Sequence, residues 1–182
     1  HDRINEAGSI WRSRYSGGES LLFNPAFQEP LTRSGFGWRI NRPEGVSWQP
    51  PGGGNGLKIL FAGTSNPSFI LSQIVPLEPG SYTLTGFSSS DNLTTDQRPY
   101  WSVSGFKCKG LSVKGDMLEP TSPRHRFSLS FTVPDECAAV RLSLRRSTSY
   151  FFDNKIGGTV VLDGLKLIRT SASSPPEIKA DP

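Results

Sequence analysis

The stretch RHRFSLSFTVPDECAAVRLSLRRS, residues 124–147, decides the fold. Phe127, Leu129, Phe131 and Val133 occupy every second position, and Arg126, Ser128, Ser130 and Thr132 fill the places between. After a short VPDEC connection the alternation resumes, with Val140, Leu142 and Leu144 opposing Arg141, Ser143 and Arg145. A period of two sends successive side chains to opposite faces of a strand. The stretch therefore reads as two antiparallel strands, each with one face toward a core and the other toward water or a ligand.

The same alternation, punctuated by Gly, Pro, Asn and Ser, runs outward in both directions. SLLFNPAF is predicted as a first strand, and FGWRIN and GVSWQP as two short strands around the Pro43–Gly45 turn. LKILFAG, SFILSQIVPL, GSYTLTGFSS, YWSVSGFKC and, near the end, GTVVLDGLKLIR complete the set. PPGGGNG is a loop and no phosphate cradle, because a strand follows it where a helix N-terminus would be needed. Nine or ten short strands without a helix among them predict an all-β, antiparallel β-sandwich. The long connection from Lys109 to Arg124 is expected to cross between its sheets. Upstream, Ile4, Ala7, Trp11 and Tyr15 stand at helical spacing before Gly17-Gly18 and predict a short N-terminal helix. The expected organisation is a helical segment or linker over 1–18, the sandwich over 19–170, and a disordered tail, SASSPPEIKADP, over 171–182.

A chain of 182 residues suits one domain, able to bury roughly 70% of its unfolded surface. The net charge of +4 is mild and scattered. It favours an acidic partner such as an anionic polysaccharide, but makes no basic stripe of the kind nucleic acid requires. No apolar run is long enough to span a bilayer, so no membrane insertion by this fragment is expected. The chain opens on His1, as a processed or excised piece would. Two cysteines are too few for a disulfide-built scaffold or a cysteine zinc site. Cys108 and Cys137 are either two buried thiols or one bridge. Chain direction favours the bridge: if YWSVSGFKC runs parallel to RFSLSFTV, Cys108 ends at the edge where Cys137 begins. A bridge there closes about 30 residues and implies an oxidising location, whether periplasmic, cell-surface or secreted.

The order Asn24, Phe27, Gly37-Trp38, then SFILSQIVPLEPGSYTLTGFSSS, FSLSFTVP, VRLSLRR and GTVVLDGLKLIR resembles the galactose-binding-like jelly-roll domains. Among them it is most similar to carbohydrate-binding modules of families four, nine and twenty-two. The likeness covers about residues 20 to 170, and its most specific part is Gln73 through Leu84. It implies first and last strands lying together, with a structural calcium where they meet. The implied ligands are Gln28, which stands where Glu is usual, Glu29 and the closing Asp163. The other reading of Asp163 is a bulge residue hydrogen-bonding the neighbouring NPAF backbone.

The resemblance also implies binding of a polysaccharide or other glycan, through aromatic faces and polar side chains. Trp38 is expected in the core. Trp48, before a Pro-Gly loop, and the outward member of the Tyr100–Trp101 pair are the aromatic candidates, since adjacent strand residues face opposite ways. Arg98, Arg141 and Arg145 are candidates for an acidic sugar or a row of hydroxyls. Asn154 and Tyr150 lie on a loop at a sandwich end, where binding sites often sit. An enzyme is not expected. His125 stands between two arginines, no nucleophile elbow or zinc helix occurs, and the loop carboxylates propose no facing pair. The reading is a non-catalytic carbohydrate-binding module of a larger exported protein. The alternative is a structural or protein-interaction accessory domain of a multidomain bacterial envelope protein, with its polar face against an upstream helical module.

Overall fold

A computed structural model describes residues 6, 7, 10, 20–31, 35–50, 56–151 and 154–170. Ten strands follow in order: β1 (Arg39–Ile40), β2 (Val46–Gln49), β3 (Leu57–Ser65), β4 (Ile70–Pro76), β5 (Gly80–Asp91), β6 (Tyr100–Gly105), β7 (Ser112–Met117), β8 (Ser122–Val133), β9 (Ala139–Arg145) and β10 (Lys155–Thr170). They form two five-stranded sheets, β1-β4-β9-β6-β7 and β2-β3-β10-β5-β8. Every pairing is antiparallel. This is the expected sandwich.

The alternation places the core. Val140, Leu142 and Leu144 of β9 are fully buried while Arg141 and Arg145 are exposed. Opposite them, β10 buries Val160, Leu162, Leu165 and Leu167. Trp38 fills the space between the layers at 1% exposure, with Phe27 at 5.3 Å and Trp101 at 6.3 Å between ring centroids. Rings of this size dominate the apolar surface removed from water, at roughly 25 cal/mol per Å².

Two expectations need correction. SLLFNPAF is not a strand. Asn24 and Phe27 take φ of 46° and 53°, left-handed backbone that an extended run cannot contain, and the Phe27 N–H turns back to the Asn24 carbonyl at 3.1 Å. The segment still lies along β10: Leu21 N–H donates to Leu167 O at 2.9 Å, and Leu167 N–H donates to Ser20 Oγ at 3.2 Å. Gln73 completes the attachment. Its buried amide acts as a surrogate peptide, donating to Phe23 O at 2.9 Å and accepting from Phe23 N–H at 3.2 Å. The second correction is β7, which occupies part of the connection expected to run from Lys109 to Arg124 and forms a bulged hairpin with β6. Only the following few residues cross to the other sheet.

Cys108 and Cys137 are bridged, with their Cα atoms 5.4 Å apart. The geometry follows from pairing: β6 runs antiparallel to β9, and its last residue, Gly105, lies opposite Val140. Gly105 makes room for the bridge, since a Cβ there would stand 2.5 Å from the Cys108 sulfur. In the N-terminal segment Glu6, Ala7 and Ile10 are helical. The rest of that predicted helix and the tail over 171–182 lie outside the described residues. No helix among the described residues is long and apolar enough to cross a membrane.

Breaking the bridge should be costly. With 29 residues of separation, the chain-entropy model gives roughly 3 to 4 kcal/mol. Cys137→Ser, or reduction of the wild type, is expected to lower urea-unfolding stability by about that amount. A change under about 1 kcal/mol would show that the bridge constrains little in the unfolded chain.

Candidate functional site

The outward side of the first sheet is read off its registers. Arg39 lies opposite Ser72, Ser72 opposite Ser143, Ser143 opposite Ser102, and Ser102 opposite Lys114. The adjoining outward row carries Ile70, Arg145 and Tyr100, and the one on the other side Ile74, Arg141 and Ser104. Serines in the middle and arginines around them hollow the surface into a groove of about 600 Å³. Arg39, Arg42, Arg141 and Arg145 line it, with Ile70 and Ser143 among the remaining residues. Asn41 fixes its wall to β4: its side-chain oxygen accepts from Ile70 N–H at 2.7 Å, and its amide donates to Ser68 O.

A second recess of about 410 Å³ lies at the edge of the other sheet, where Trp48 is half-buried beside Phe27 and Leu57. Arg42 lines both spaces, with its guanidinium carbon 5.5 Å from the Trp48 ring centroid. Of the predicted ligand residues, Arg141 and Arg145 line the groove and Trp48 lines the recess, and the two spaces share Arg42. Tyr100 is the outward member of its pair, yet it is 7% exposed. Lys114 Nζ lies 4.2 Å from its ring centroid, and its hydroxyl shares a 2.9 Å hydrogen bond with Ser147.

Trp101 is not a surface contact. It points inward, 4% exposed, and stacks on Phe127 at 5.6 Å. Its indole nitrogen, alone among the described buried side-chain polar atoms, has no hydrogen-bond partner. The small cavity it lines, about 290 Å³, also meets Asp116, Glu119 and His125. Arg98 is used structurally, donating to Leu118 O at 2.7 Å and Thr95 O at 3.3 Å. Asn154 does not line the groove; its backbone carbonyl accepts from Arg146 at 3.1 Å.

Sequence reasoning passed over Arg39, Arg42 and Arg146. Alternation from the inward Trp38 would have turned Arg39 outward, but nothing in the sequence sets β1 beside β4. Arg146 is a strut: 4% exposed, it also donates to Gln97 O at 2.8 Å and Asn66 Oδ1 at 3.2 Å. Burial pushes its pKa down, partly offset by the charge of Asp96. Asp96 accepts from Ser149 Oγ at 2.6 Å, from Thr95 at 3.0 Å and from Gln97 at 3.1 Å. Led by the Ser149 hydrogen bond, these hold its carboxyl at about 2, below the ordinary 3.8.

The residues implied for calcium do not fit that ion. Both Asp163 oxygens accept from Arg124, at 3.0 and 2.7 Å, so a guanidinium stands where a cation would bind this carboxylate. Arg124 itself lies over Phe87, its guanidinium carbon 3.5 Å from the ring centroid. Asp163 sits at a bulge, where the register on β5 shifts before Lys166. Gln28 and Glu29 line the Trp48 recess. No group of three or more His, Cys, Asp or Glu among the described residues could hold a metal.

No family model and no curated protein matches the chain. Solved structures do. The carbohydrate-binding module TmCBM61, in complex with beta-1,4-galactotriose, is similar with a TM-score of 0.57 and 16% identity, over 84% of this chain and 100% of its own. A CBM4 carbohydrate-binding module gives 0.58 and 15%, over 82% and 99%. An arabinose-bound α-L-arabinofuranosidase gives 0.54 and 14%, over 84% of this chain and 27% of the enzyme. Likeness at this level of identity defines architecture, and the architecture is the antiparallel β-sandwich that these modules share.

The Asp96 cluster yields a pH dependence. A carboxyl whose folded pKa lies below its unfolded value stabilises the fold above the unfolded pKa, and loses that contribution as pH falls through the folded one. Wild-type unfolding midpoints should therefore decline between pH 3.8 and about 2. Asp96→Asn should flatten that part of the profile. Parallel profiles for the two proteins would contradict the assignment.

Proposed function

We propose that the chain is a non-catalytic carbohydrate-binding module that lays a stretch of glycan along the outer face of β1, β4 and β9. The observation that carries this reading is the open groove, with serine hydroxyls on its floor and guanidinium forks along its sides. Hydroxyls and guanidinium groups supply the hydrogen bonds that sugar hydroxyls require. Trp48 offers an aromatic surface at one end. Arg42, which lines both the groove and the Trp48 recess, supports a site longer than one sugar. The fold it shares with modules that bind sugar, one of them holding a galactotriose, supports the same reading. A shallow open groove suits weak, repeated binding to a polymer. The match to part of a much longer arabinofuranosidase supports a place inside a larger protein, and the disulfide supports an exported one, whether periplasmic, cell-surface or secreted.

A second reading rests on one observation: Tyr150 and Phe151 are 99% and 69% exposed at a sandwich end. Such side chains suit a contact with another protein module, as in an accessory domain of an envelope protein.

Affinity electrophoresis against a panel of neutral and acidic polysaccharides tests the leading reading. Wild type should be retarded by at least one polymer. Ser72→Trp, which fills the groove floor, should lower that retention tenfold or more without changing Tm, and Trp48→Ala should weaken it several-fold. No retention by any polymer at millimolar sugar would remove the glycan reading, leaving the exposed aromatic tip as the surface to pursue.

A further inference from the structure

We infer that the groove selects acidic glycans, polymers whose sugars carry carboxylate or sulfate groups; this rests on the glycan reading above and specifies its ligand class. The groove's lining contains four arginines and no carboxylate, and the neighbouring Trp48 recess contains one, Glu29. All four are exposed, and among the described residues none takes part in an ion pair. Their other attachments leave donors over. Arg39 gives one donor to Gly35 O at 2.9 Å. Arg42 lies beside Trp48, and Arg141 stands 5.7 Å from the Phe106 ring centroid. Elsewhere two arginines are paired with carboxylates. Arg124 forks onto Asp163, and Arg169 meets Glu78 at 3.0 Å. The groove is therefore a local excess of positive charge in a molecule whose net charge is only +4.

Placement argues for a polymer. Arg141 and Arg145 are four residues apart on β9, about 13 Å along the strand. Arg39 stands two strands away, level with the midpoint between them through its register with Ser72 and Ser143. Spread like this, the guanidinium groups can meet charges that recur along a chain. Each arginine offers a planar fork suited to a carboxylate or sulfate. The serines between can bond the uncharged sugar hydroxyls. Nucleic acid fits less well. A single-strand groove needs a row of rings on which successive bases stack, and none of the groove's lining residues is aromatic, Trp48 in the neighbouring recess being a single ring.

The test pairs polymers that share a backbone: polygalacturonate against its carboxyl-reduced form, and dextran sulfate against dextran, with single-stranded DNA as a further arm. Wild type is expected to bind at least one acidic member tenfold or more tightly than its neutral partner, and to weaken as salt rises. Arg141→Ala/Arg145→Ala should erase that preference while unfolding at the wild-type temperature. Arg145→Lys should keep only part of it, because an ammonium has no fork. Preference for polygalacturonate would assign carboxylate, and preference for dextran sulfate would assign sulfate. Equal binding within both pairs, or tighter binding of the neutral forms, would overturn the acidic assignment and leave the glycan reading standing. Failure to bind any polysaccharide would remove both. DNA binding as tight as the best glycan, with the same dependence on Arg141 and Arg145, would overturn the choice of a glycan.

Discussion

Beneath Arg141, Ser143 and Arg145 on the outside of β9 lie Val140, Leu142 and Leu144 in the core, and the pleat makes the two sets inseparable. β9 is the middle strand of its sheet, paired on both sides. A slip of one residue would bury two guanidinium groups and expose three aliphatic side chains, a change no sandwich of this size could bear. The hydrophobic demand of the core thus fixes the register of β4 and β6 against β9. That register in turn composes the outer surface from arginine and serine. The groove is the reverse side of the core.

This dependence explains what was legible in the sequence. Residues 124–147 alternate cleanly because each strand has one wet and one dry face, and such strands declare themselves. The Cys108–Cys137 pairing followed from chain direction for the same reason. SLLFNPAF was misread because its apolar residues are buried without forming a strand. Leu22 docks on the core, while the left-handed Asn24 and Phe27 turn the chain. β7 was missed because it is an edge strand with little to bury, and Gly115 leaves its half-buried row with only Val113 and Met117 as side chains. Local sequence carries both kinds of segment weakly, since their place is set by distant partners: Gln73 for the first, β6 for the second.

The site was legible only in part, and the division is physical. Arg141 and Arg145 could be turned outward from their own strand alone. Arg39 and Arg42 could not be joined to them, because adjacency of β1 to β4 is a property of the fold. Trp101 shows the opposite error. Alternation requires one of two neighbours to face inward but does not say which, and the larger ring went to the core against Trp38 and Phe127. Arg98 and Arg146 look like surface cations in the sequence, yet both serve backbone carbonyls at the loop ends of the sandwich. Among the described residues arginine serves as strut, as partner of a carboxylate, and as a cation outside any ion pair. Only the last faces the groove.

The central claim is that ligand recognition belongs to the outer face of β1, β4 and β9. Mapping backbone amide shifts by NMR during titration with a short acidic oligosaccharide tests it most directly. The largest changes should cluster at Arg39, Ser72, Arg141, Ser143 and Arg145, running off toward Arg42 and Trp48. Changes concentrated instead on the loops around Asp96 and Ser149, or on the outer face of β5 and β8, would place recognition elsewhere and contradict the account.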